Sequence, residues 1–302
     1  MTNRVPAVAL FFLSGALALA YQVVWTRYLT LLLGASTPVV SIVIGVFMAG
    51  LALGARLIGG LADRHRAPMK LYGLLEAGIG AYALALPAVI HGVTPAYLHL
   101  ARALGEEPVL LALLRIGTGF LLLGPATVLM GGTLPALLKV VARDPSRLGR
   151  DLGVLYAANL LGAVCGTLSS AFLWIALLGM KGTVALAALG NLVVALFAYL
   201  WPAPAHAGAA APSPRATEVV DGRTAGPLPA RVLLAVIALS GVFTMAYEVL
   251  WTRILLFTFW STVHAFAVIL ATFLLGLTLG SFAFASNAHR SQAQRIGDDR
   301  DR

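Results

Sequence analysis

Charge is scarce in this chain. Asp, Glu, Lys and Arg make up 11% of its 302 residues, where a soluble domain carries roughly 25%. That shortage excludes an ordinary water-soluble globular fold. Acids are scarcer than bases, 12 against 21, leaving a formal charge of +9. Cysteine is nearly absent: the single Cys165 excludes an internal disulfide and reads as a small packing residue. Six scattered His residues add no partner for it, so no metal, haem or other cofactor is expected.

What the chain does contain is apolar sequence, 60% of all residues, with a mean hydropathy of +0.90. A spanning helix needs roughly 20 apolar residues. Eight such runs occur, at about 7–33, 38–61, 71–91, 109–130, 153–178, 183–201, 232–256 and 263–285. The composition predicts an all-α, polytopic integral membrane protein embedded in a lipid bilayer. The first run is longer than a signal-peptide core and has no small-residue cleavage site after it, so a retained helix is expected.

With eight crossings and both termini cytoplasmic, fifteen Lys and Arg residues from Arg4 to Arg302 fall on the inner side. Only Arg102 and Lys181 fall outside, and Arg27, Arg56, Arg115 and Arg253 lie in or near the spans. This is the positive-inside pattern, so the net charge reports topology and not nucleic-acid binding.

The chain also repeats itself. Sliding it by 226 positions matches 16 of the 51 residues from Ser14 to Arg64 without a gap, among them Ser14-Gly15, Tyr21, Trp25-Thr26-Arg27, Gly50 and Gly54. Their counterparts are Ser240-Gly241, Tyr247, Trp251-Thr252-Arg253, Gly276 and Gly280. Matches at Trp, Tyr, Arg and Gly point to an internal duplication, because shared hydrophobicity alone does not produce them. The expected organisation is a six-helix half (1–201), a flexible inner linker rich in Ala and Pro (202–230), a two-helix hairpin (231–286) repeating 14–64, and a charged tail (287–302).

Within the first copy, Ser14, Tyr21 and Trp25 share one helical face, and Gly15, Gln22 and Thr26 share the strip beside it. Trp25, Arg27, Gly50 and Gly54, with Trp251, Arg253, Gly276 and Gly280, are read as packing and interface anchors. Glu76 lies inside the inner boundary of the third run. Carboxylates at that depth mark ion or substrate paths, or else snorkel to the interface or pair with a loop Arg.

Residues 93–108 are expected to form the longest outer loop. The fourth run holds Arg115 and, further on, Gly124, Pro125, Gly131, Gly132 and Pro135, which predict a kinked or interrupted helix. An interruption frees backbone groups for a small ligand, unless Thr127, Thr133 or neighbouring helices satisfy them. Tyr156 and Asn159 share a face that serves either a cavity or a bond to another helix.

In the second copy Gln22 becomes Glu248, beside Tyr247. Glu248 is expected either to take a proton or to find a cationic partner such as Arg115. The expected polar cavity is lined by Tyr21, Gln22, Glu76, Arg115 and Asn159, with Tyr247 and Glu248 from the second copy.

Two resemblances sharpen this. The loop Gly60-Leu61-Ala62-Asp63-Arg64-His65-Arg66 resembles the Gly-x-Leu-x-Asp-Arg signature of major facilitator transporters, with His65 where a Gly is expected. The pattern Ser-Gly-x5-Tyr-Gln/Glu-Val-x-Trp-Thr-Arg, with Met130-Gly131-Gly132-Thr133-Leu134-Pro135 and 156–163, resembles the major-facilitator-like membrane part of bacterial fused membrane and spermidine synthase proteins. The resemblance implies a 6 + 2 helix arrangement in the inner membrane and a link to polyamine metabolism. In that family a soluble aminopropyltransferase domain commonly follows the helices. Here twelve residues follow Arg290, with no glycine-rich nucleotide loop, so this chain alone is not expected to be the enzyme.

The leading expectation is a transporter-like or membrane-anchoring module meeting a polyamine-like solute. The alternatives are a scaffold that docks a separate soluble aminopropyltransferase through basic inner loops, and part of a longer synthase.

Overall fold

A computed structural model describes residues 4–34, 37–105, 107–142, 148–201, 230–258 and 262–300. The described chain is helical throughout apart from short connections: α1 (Arg4–Leu33), α2 (Thr37–Arg64), α3 (Pro68–Ala103), α4 (Pro108–Val141), α5 (Leu148–Ser169), a π-helical turn (Ser170–Trp174), α6 (Ile175–Leu200), α7 (Ala230–Thr258) and α8 (Thr262–Arg300). Helix is the state that satisfies every backbone group within its own segment, as a lipid surrounding demands. Seven helices are long and apolar enough to cross a membrane, one of them the 53-residue stretch Leu148–Leu200.

Proline and glycine set the joints. Pro68 and Pro108 open α3 and α4 at positions where the missing N–H costs nothing. Gly34 and Gly105 follow α1 and α3 with φ of 103° and 62°, a conformation that favours glycine. Gly179, at φ 67° and ψ 179°, breaks the stretch after the π turn.

Close glycine contacts fix how the helices run. A methyl group at Gly162 or Gly166 of α5 would overlap the carbonyl oxygens of Phe12 and Ala16, so α1 and α5 advance together as a parallel pair. Gly50 and Gly54 of α2 meet Thr127 and Val128 of α4, and Gly131 meets Leu51, a second parallel pair. Gly73 and Gly80 of α3 meet Ala195 and Ala188 of α6 in descending order, so those two are antiparallel. Ser14 and Tyr72 contacts place α3 parallel to α1. It follows that α5 and α6 run in opposite directions, and the 53-residue stretch doubles back. α8 lies antiparallel on α5, with Ala285 at Gly153 and His264 against Phe172.

Several expectations change. The outer loop expected at 93–108 is mostly helix, since α3 runs through Pro87 and Pro95 to Ala103. α4 is continuous across Pro125 and Pro135, not interrupted. Thr127 donates to the Leu123 and Gly124 carbonyls, Thr133 to Met130, and Tyr82 of α3 to Leu122, one turn before Pro125. The carbonyls four residues before the prolines are those of Leu121 and Gly131, so these hydroxyls bond to carbonyls beside them. The irregular turn lies instead at Ser170–Trp174, where no proline marks it.

Cys165 is exposed on α5. The backbone of α8 stays helical to Arg300, through most of the expected tail. Residues 202–229 of the expected linker lie outside the described residues.

Candidate functional site

A buried carboxyl group, that of Glu76, lies between α1, α3 and α6. Gly80, one turn beyond Glu76 on α3, lies so close to α6 that a methyl group there would sit 3.0 Å from the Ala188 oxygen and 3.2 Å from the Asn191 Cβ. Gly190 does the same for Leu17 of α1, at 2.8 Å. Small residues on two faces thus bring α1, α3 and α6 to one point.

Four side chains meet there. Ser14 Oγ donates to Glu76 Oε1 at 2.5 Å. Asn191 Nδ2 donates to Glu76 Oε2 at 2.5 Å. Tyr21 Oη donates to Asn191 Oδ1 at 2.8 Å. The carboxyl group accepts and the phenol donates, which orients the Asn191 amide: its nitrogen must face Glu76 and its oxygen Tyr21. All four residues are buried. Tyr72, one turn before Glu76, sends its hydroxyl to the Leu10 carbonyl at 3.3 Å. Trp25 stacks on Tyr21 with centroids 4.8 Å apart and closes the far side.

No cation pairs with Glu76 among the described residues. An ion pair elsewhere, Lys139 to Asp63 at 2.7 Å, joins the C-terminal ends of α4 and α2. A buried carboxylate without a counter-charge is costly. Each hydrogen bond to a charged group returns about 1.5–3 kcal/mol, leaving the negative charge itself uncancelled. Such a group can take a proton or a cation. It is fully buried and pairs with no Arg among the described residues.

The other sequence candidates separate. Asn159 donates to the Phe11 carbonyl at 3.0 Å and ties α5 to α1, while Tyr156 on the same strip is exposed. Gln22 is buried on the strip beside Tyr21, and neither amide atom has a hydrogen-bond partner among the described residues. Arg115 is half-buried on α4 and forms no ion pair with Glu76 among the described residues. Arg27 is exposed near the C-terminal end of α1.

The two copies of the repeat differ sharply. Tyr21 and Trp25 are 0% and 1% exposed, whereas Tyr247 and Trp251 are 60% and 53% exposed. Tyr247 is therefore no cavity residue in this structure, although Glu248 beside it is buried. Gly50 and Gly54 pack against α4, but Gly276 and Gly280 have nothing within 4 Å among the described residues. The side chain of Arg253 lies outside the described residues.

Sequence reasoning missed Asn191 as a site residue. Its signal was an amide inside a 26-residue apolar helix, next to a glycine. Ser14 was visible on the face of Tyr21 and Trp25 but not as a ligand of Glu76. Among the described residues no three His, Cys, Asp or Glu side chains gather to hold a metal ion. No family model matches the chain, and neither does any curated protein or solved structure.

Proposed function

We propose that this protein is a transporter-like module of the bacterial inner membrane that binds an organic cation of the polyamine class, with Glu76 as the intramembrane carboxylate. The observation that carries this reading is the burial of Glu76 among neutral donors with no paired cation among the described residues. Ser14 and Asn191 hold both oxygens and fix the carboxyl orientation, and Tyr21 locks Asn191. A solute ammonium replaces one of these donors at the carboxylate, and the charge that the protein leaves uncancelled is its binding energy.

The reading includes eight crossings in a 6 + 2, major-facilitator-like arrangement with both termini cytoplasmic. A straight helix of 53 residues would be about 80 Å long, more than twice a hydrocarbon core of about 30 Å. The reversal at Gly179 supports counting that stretch as two spans. The Lys and Arg distribution supports the orientation.

Proteoliposomes holding the full chain and loaded against labelled putrescine or spermidine test the function. Uptake above protein-free vesicles, reduced at least about tenfold in Glu76→Gln, is expected, corresponding to about 1.4 kcal/mol. Wild-type uptake no faster than empty vesicles would sink the proposal.

A further inference from the structure

The two oxygens of Glu76 meet different kinds of donor. Oε2 faces the Asn191 amide nitrogen, and because Tyr21 donates to the oxygen of that amide, this partner can only give a hydrogen. Oε1 faces the Ser14 hydroxyl, which can give a hydrogen or accept one. A proton on Oε2 would point at the Asn191 N–H, whereas a proton on Oε1 finds the Ser14 oxygen as its acceptor. The two oxygens are therefore not equivalent sites for a proton.

Ser14 can turn round only if its own hydrogen has somewhere to go. Beside it stands the Tyr72 hydroxyl, which interacts with both Ser14 and Glu76 and donates to the Leu10 carbonyl at 3.3 Å. A phenol that donates can still accept. With a proton on Glu76, donation runs from Glu76 to Ser14, from Ser14 to Tyr72 and from Tyr72 to the Leu10 carbonyl. Without it, Ser14 turns its hydrogen back to Oε1. All three side chains are buried, so the rotation of one hydroxyl separates two hydrogen-bonded states away from bulk water.

The titratable groups that face Glu76 are Tyr21 from α1 and Tyr72 on its own helix, and α6 brings the neutral Asn191. With no cation beside it among the described residues, the ionised carboxyl group is costly to keep buried. We infer that Glu76 exchanges one proton for one solute ammonium ion, the proton being carried on Oε1 and accepted there by Ser14, whose own hydrogen turns to Tyr72. As the solute enters, the Oε1–H bond breaks, its electron pair stays on the carboxylate and the proton leaves to a water molecule. An ammonium N–H then takes the place of the serine donor at Oε1. The site is neutral before and after. The identity of the incoming ion rests on the proposed binding of organic cations, whereas the position of the proton rests on the hydroxyl chain alone.

Infrared difference spectra of the full chain in nanodiscs, recorded across a pH titration, test where the proton sits. A protonated-carboxyl C=O band that is absent in Glu76→Gln is expected. Its C=O is Oε2, bonded by Asn191, so Asn191→Leu should raise the frequency while Ser14→Ala leaves it near the wild-type position. If Asn191→Leu does not stay monodisperse on size exclusion, Ser14→Ala decides alone, because a C=O on Oε1 would lose its donor there and move up. Absence of the band at every pH, or a clear upward shift in Ser14→Ala, would overturn the inference.

Calorimetric titration of putrescine in buffers of different ionisation enthalpy reads the exchange. Putrescine keeps both ammonium protons near neutral pH, as lysine side chains do, so protons released come from the protein. At a pH where the band shows the acid, wild type should release about one proton per putrescine bound, and Glu76→Gln none. Binding without release would overturn the exchange and leave the transport reading standing. No binding of putrescine would overturn the transport reading together with the exchange, and the proton on Oε1 would then stand or fall on the infrared result.

Discussion

Both oxygens of Glu76 are met by neutral donors, and each donor comes from a different helix. Removing one therefore damages more than one bond. Asn191→Leu leaves a carboxyl oxygen and the Tyr21 hydroxyl unmatched in a buried setting, and should destabilise the protein by about 2–4 kcal/mol. Unfolding in detergent monitored by circular dichroism reads this as a lowered midpoint. Adding Glu76→Met to Asn191→Leu should recover most of the loss, because replacing both members of a buried polar pair costs less than orphaning one; a double variant no better than the single would contradict that account. The acid was legible in the sequence because a carboxylate inside an apolar run is conspicuous. Its partner was not, since 115 residues separate Glu76 from Asn191 and helical periodicity relates only near neighbours.

At the scale of helices, glycine is read correctly or not according to what lies opposite. Gly50 and Gly54 were legible as a packing pair, and α4 does approach there. The same pair at Gly276 and Gly280 meets nothing within 4 Å among the described residues. Gly54→Ala should then cost about 1–3 kcal/mol through overlap with the Val128 carbonyl, whereas Gly280→Ala should stay within about 0.5 kcal/mol of wild type. Parallel denaturation in mild detergent with increasing SDS distinguishes them, and equal effects would contradict the difference between the copies. The prolines of α4 also misled. Rules from water treat a mid-helix proline as a break, but α4 runs on through Pro125 and Pro135. The π turn after Ser169 carries no residue type that announces it.

Across the whole molecule, the sense in which α5 and α6 run makes a topological prediction. In a Cys165→Ser background, Lys181→Cys should react with a membrane-impermeant maleimide added outside intact cells, and Arg66→Cys only after permeabilisation. Labelling of both from one side would contradict the reversal at Gly179. The ion pair between Asp63 and Lys139, 56% and 29% exposed, is a minor contributor: Asp63→Asn should change stability by less than about 1 kcal/mol. The apolar helices were legible from composition, because a lipid surrounding demands long apolar segments. Which copy would be enclosed was not, because identical residues take their surroundings from other helices.

The bond from Asn191 to Glu76 also sets a timetable. Synthesis at about 5–20 residues per second delivers Asn191 roughly 6–23 s after Glu76, given the 115 residues between them. During that interval α1 is already made, so of the donors from other helices Ser14 is the one at hand for the carboxyl group of the newborn α3. The serine at the head of the repeat is thus the first guarantor of the acid's place in the bilayer, and the asparagine its later seal.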